Sequence, residues 1–205
     1  MTISFLLSMT VWGFALAAAG YAALAVWLIH RDGWAAPRPQ KMLTAALMVT
    51  AIWALTIVIT PMGSPLSSLA ELVRNGVWLS FMAVLLYGNG RERGGAADYI
   101  YTVLFVVLLF NAILVCVTPG DILNLSFSSS ALRPVHWLLG MIFAVGALML
   151  VHDLYTSFDA DARWGVSLPL AALAAMWGYD LNLYTIAYLS QNIAPELLAA
   201  QGFAL

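Results

Sequence analysis

Tyr99-Ile-Tyr-Thr-Val-Leu-Phe-Val-Val-Leu-Leu-Phe-Asn-Ala-Ile-Leu-Val-Cys-Val-Thr118 decides the fold of this chain. It carries no charge, and Asn111 is its only amide side chain. A helix of about 20 residues crosses a hydrocarbon core of ~30 Å. The apolar residues run on without the alternation of period two that a barrel strand needs. Only a helix then satisfies its own backbone in lipid.

Five further apolar runs flank this one, over about residues 5–30, 42–60, 70–87, 135–158 and 166–191. The loop from Arg31 to Lys41 ends the first, Pro61 to Ser68 the second, and the glycine-rich Gly88 to Gly95 the third. Pro119-Gly120 closes the fourth, and Arg133-Pro134 precedes the fifth. The chain is therefore expected to be all-α, an integral membrane bundle of six transmembrane helices. Pro195-Glu-Leu-Leu-Ala-Ala-Gln-Gly-Phe-Ala-Leu205 reads as the start of a seventh, so the sequence is expected to be truncated before further helices. The whole of 1–205 reads as a single polytopic domain.

Composition agrees. Hydrophobic residues make up 63% and charged residues 9%, against roughly 45–50% and about 25% in soluble domains. The lipid bilayer is the expected surrounding. A net charge of -2, with no basic patch interleaved with aromatics, argues against a nucleic-acid partner. Cys116 is the single cysteine, which excludes an internal disulfide and a thiolate metal cluster. Met1 to Ser4 holds no basic residue and the first run continues past Ala15-Leu-Ala-Ala-Ala19, so an uncleaved helix is expected rather than a secretory signal.

Lysine and arginine set the orientation. Arg31, Arg38, Lys41, Arg91, Arg93 and Arg163 lie on one side, with only Arg74 and Arg133 on the other. Both termini are expected to face away from the cytoplasm. No internal repeat relates the halves, which weakens an inverted-repeat transporter.

Asp180 is the informative polar residue. It lies about eleven residues, roughly 16 Å, from the outer end of its helix. A carboxylate there costs about 2.5–3.5 kcal/mol on insertion scales and should face the bundle interior with a partner or a proton. Trp177, Asp180, Tyr184 and Tyr188 recur at i, i+3, i+7 and i+11 and share one helical face. Arg74, in the third run, is the best charged partner by depth, with Asn75 and Trp78 beside it. Glu71, three residues before Arg74, competes for the guanidinium. Such a cluster reads either as a packing clasp or as a site that senses a ligand or proton. Asn111 is expected to make an interhelical hydrogen bond.

No cofactor or metal is expected. His136 and His152 are sixteen residues, about 24 Å, apart on one helix and cannot share a metal. His30 with His152 leaves a membrane cytochrome as a minor rival. Gly13 with Ala17 and Gly140 with Ala144 have small-xxx-small spacing. The loop Gly88 to Gly95 does not fit a phosphate-binding loop. No nucleophile-base set points to an enzyme. Asn124-Leu-Ser126 matches a glycosylation acceptor of the kind that arises by chance.

The segments Leu150-Val-His-Asp-Leu-Tyr155, Arg163-Trp164, Gly178-Tyr-Asp-Leu-Asn-Leu-Tyr184 and Pro195-Glu-Leu-Leu-Ala-Ala-Gln-Gly202 resemble the N-terminal membrane region of PrsK-type sensor histidine kinases of the exosortase and PEP-CTERM sorting system. Leu72-Val-Arg-Asn-Gly-Val-Trp78 resembles the same family's third helix. Gln201 departs from it, standing where the family usually has arginine. The resemblance implies a sensory membrane module of a two-component system in a bacterial inner membrane, with a periplasmic N-terminus. The parent would be a dimeric ATP-dependent kinase acting through a response regulator on genes for exopolysaccharide and protein sorting. This chain holds neither a phosphoacceptor helix nor an ATP lid, so it has no catalytic residues of that reaction. The alternatives are a small transporter or permease subunit, with Asp180, Asn111 and the tyrosines lining a path, and a passive assembly scaffold.

Overall fold

The computed structural model of the chain describes residues 3–33, 36–60, 64–88, 96–117, 129–158, 160–191, 197 and 200–202. The described residues form six helices in chain order: α1 (Ile3–Asp32), α2 (Arg38–Ile59), α3 (Pro65–Gly88), α4 (Ala96–Val117), α5 (Ser129–Ser157) and α6 (Ala160–Ser190). Leu197 and residues 200–202 are helical again, where a further helix was expected. Most of the glycine-rich loop, Pro119-Gly120 and Asn124-Leu-Ser126 lie outside the described residues, as do the side chains of Arg133 and Arg163.

Local chemistry explains where the helices stop and start. Gly33, at φ 62, takes the left-handed conformation that closes α1, and its N–H donates to the Ile29 carbonyl at 2.9 Å. α2 opens behind Pro37 with Pro39 in its first turn, where a missing N–H removes no helical bond. The Ser64 hydroxyl accepts from the Ser67 N–H at 3.2 Å and caps α3.

Every helix starts earlier than the sequence reading placed it; α3, for example, begins at Pro65, within the expected break from Pro61 to Ser68, and the largest shifts are at α5 and α6. α5 begins at Ser129 and runs through Pro134, and α6 begins at Ala160 and runs through Pro169. A proline in a helix deletes one backbone bond and bends the axis without ending it. The opening turn of α6 also carries Asp161 and Arg163, which hide a helix from hydropathy.

The fold is all-α and multi-pass. Five helices, α1 to α5, are long and apolar enough to cross a bilayer. α6 is 31 residues long but falls outside that set. Asp180 and Asn182 sit inside its apolar stretch and dilute it.

The chain divides into two compact units. One comprises Met1–Glu92 with Leu198–Phe203, the other Arg93–Leu197 with Ala204–Leu205. In the first, α2 packs on both α1 and α3; in the second, α5 packs on both α4 and α6. Large apolar side chains remain on the surface of both units, among them Trp12 at 66% and Phe105 at 64% exposure. In water such surfaces would aggregate, whereas lipid solvates them. Hydroxyls are likewise satisfied within the helices. Thr102, for example, donates to the Asp98 carbonyl at 2.8 Å.

Small residues set how closely helices approach. A Cβ built on Gly140 would lie 2.8 Å from the Tyr184 ring, so this glycine is the notch in α5 that admits the tyrosine of α6. Gly140→Val should therefore destabilise the chain by about 1–3 kcal/mol through overpacking. Denaturant titration in micelles would measure the loss, and adding Tyr184→Ala should recover most of it.

Candidate functional site

In the first unit, α2 and α3 bring polar side chains into an apolar interior. Thr50 is fully buried on α2 and Trp78 nearly so on α3. The Thr50 hydroxyl donates to the Ala46 carbonyl at 2.8 Å and accepts from the Trp78 indole N–H at 3.0 Å. One hydroxyl thus satisfies a buried indole across two helices.

Arg74 lies one turn before Trp78 on α3 and is 0% exposed. Its guanidinium carbon stands 4.0 Å above the Trp53 ring of α2, and its Nη2 donates to Asn75 Oδ1 at 3.2 Å. Trp53 in turn meets Phe14 of α1 edge to face at 5.6 Å. A buried cation over an indole, away from water, is the strong form of the cation–π contact. The row Phe14, Trp53, Arg74 therefore ties α1, α2 and α3 through one charge. Glu71 sits half-buried a turn before it.

In the second unit, Asp180 is 2% exposed on α6 and Trp177, one turn earlier, is fully buried. Trp177 meets Phe143 of α5 edge-on at 6.1 Å. Tyr184 turns to α5, where it fills the Gly140 notch and stands perpendicular to the His136 ring at 6.5 Å. His136 Nδ1 lies 2.6 Å from Asn111 Oδ1 on α4. The expected interhelical bond of Asn111 is thus made, to His136. Tyr188 belongs to the same face of α6 by spacing but is 38% exposed, two residues before the helix ends at Ser190. Below this face the Tyr179 hydroxyl donates to the Leu197 carbonyl, which anchors the chain leaving α6.

Arg74 and Asn75 meet in the first unit, and Trp177, Asp180 and Tyr184 line one face of α6 in the second. Sequence reasoning missed Trp53, Thr50 and Tyr179, which are ordinary residues in membrane helices. It also weighed His136 only as a metal ligand. Matching polar residues by depth would have paired it with Asn111, since both stand near the same end of adjacent helices. His30 and His152 are exposed. Among the described residues, no three His, Cys, Asp or Glu side chains gather as a metal would require. No protein-family model, curated protein or solved structure matches this chain.

Proposed function

We propose that this chain is the membrane-embedded sensory module of a signal-transducing protein, with Asp180 and Arg74 as its switchable charges. The supporting observation is that an acid at 2% exposure and a guanidinium at 0% both sit deep in apolar helices. Ionisable groups kept at such cost in membrane helices belong to pathways, relays and switches more often than to packing alone. In this reading α6 is the sixth crossing, the membrane is a bacterial inner membrane, and the N-terminus is periplasmic. The resemblance of the third, fifth and sixth helices to PrsK-type kinases supplies the output: a dimeric kinase and its response regulator, in a longer parent.

A signal must favour one helix arrangement over another to shift anything. Asp180→Asn keeps the shape and removes the charge. In a full-length parent it should change autophosphorylation by about fivefold or more, the lower end of ordinary coupling energies. Unchanged output at normal membrane levels would remove the sensing role.

A further inference from the structure

The contacts joining Asn111, His136 and Tyr184 bring side chains of α4, α5 and α6 together, and the function proposed above does not use His136. We infer that His136 is a proton-responsive clasp of these three helices, which passes acidification at that end of the bundle to α6. This regulation rests on the sensory reading.

The geometry gives the clasp its chemistry. Asn111 Oδ1 can only accept, so at 2.6 Å the His136 Nδ1 carries the hydrogen and donates it. That bond selects the tautomer of the neutral ring and leaves Nε2 as the nitrogen that takes up a proton. Protonation at Nε2 converts the Asn111 bond into a charge-assisted one, about twice as strong as its neutral form. The ring is half-buried and stands two residues from the Pro134 end of the apolar span of α5, near the membrane surface. Pro134, two residues earlier, removes one backbone bond of α5 and makes that turn easier to bend. On its other side the ring faces Tyr184, which the Gly140 notch holds in place. A movement of the imidazole is therefore delivered to α6 one turn from Asp180.

The titratable side chains around the ring come from all three helices. α4 presents the neutral Asn111, and its next titratable side chain, Cys116, is exposed five residues on and points to another face. On α5 itself Arg133 precedes His136 by three residues, its side chain outside the described set. α6 presents Tyr184, with Asp180 and Tyr188 about a turn to either side. Asp180 is the one carboxylate among these named residues.

The test uses the whole chain in lipid nanodiscs, labelled with 15N-histidine and with ring-labelled tyrosine, titrated from pH 8 to pH 5. Only three histidines need resolving, and His30 and His152 are exposed. The inference expects His136 to hold its hydrogen on Nδ1 at high pH and to become doubly protonated on acidification. The Tyr184 ring signals should shift in step. Asn111→Leu should abolish the shift at Tyr184 while His30 and His152 titrate as before. A His136 that stays neutral throughout, or a Tyr184 signal that ignores its titration, overturns the inference. The wild-type titration decides even if the variant misfolds. Asp180→Asn output judges the sensory reading separately, because the clasp is read here without any kinase.

Discussion

Arg74→Ala should cost the chain about 3–5 kcal/mol of stability. The side chain is wholly buried, so truncation leaves a cavity the length of a guanidinium and its stem between α2 and α3. It also removes the cation from above the Trp53 ring, a contact worth up to about 2 kcal/mol when desolvated. Asn75 Oδ1 loses its donor as well. In lipid no hydrophobic gain draws helices together, so such specific contacts carry more of the association than they would in water. Arg74→Lys keeps the charge but not the planar group that stacks on an indole, and should fall between wild type and alanine. Denaturant titration in micelles gives the ranking. A double-mutant cycle of Arg74→Ala with Trp53→Leu should return a coupling energy of about 1–2 kcal/mol. An alanine variant within about 0.5 kcal/mol of wild type would mean that the row Phe14, Trp53, Arg74 does not hold the first unit together.

How far the sequence could be read follows from the same residues. α4 was fully legible, because an uncharged run of about 20 residues admits one solution in lipid. The early turns of α5 and α6 were not. Pro134 looks like a boundary although a helix can run through it, and Asp161 and Arg163 make a helical turn look like a loop. Asp180 and Arg74 stood out because a charge inside an apolar run is costly wherever it points. Their neighbours did not stand out. Whether Trp53 lies under Arg74, or His136 beside Asn111, depends on how each helix is rotated about its own axis. Spacing within one helix leaves that rotation open, and small residues such as Gly140 decide it by opening a notch at one angle.

Gly202→Ala should release the segment at 200–202 from α1, a large effect for one methyl group. A Cβ at this position would fall 2.6 Å from the Phe14 nitrogen and 2.7 Å from the Gly13 carbonyl carbon. Ordinary contact lies at about 3.5–4.0 Å, and the obstructing atoms are helix backbone that no side-chain rotation can clear. Overpacking of this kind costs about 1–3 kcal/mol. The α1 backbone cannot yield as a side chain could, so the segment should leave its seat and not compress α1. Gln201 reports the outcome, since it is buried in the seated segment at 4% exposure. With Cys116, the single native cysteine, replaced by serine, a Gln201→Cys probe should react slowly with a maleimide. Adding Gly202→Ala should speed that reaction about tenfold or more, as a loss of ~1.4 kcal/mol of seating energy requires. Equal rates in the two backgrounds would mean that the Gly13 and Gly202 backbones do not meet. The same variant separates the two anchors of this stretch, because the bond from Tyr179 to the Leu197 carbonyl lies on the α6 side of Gly202 and has no part in the clash.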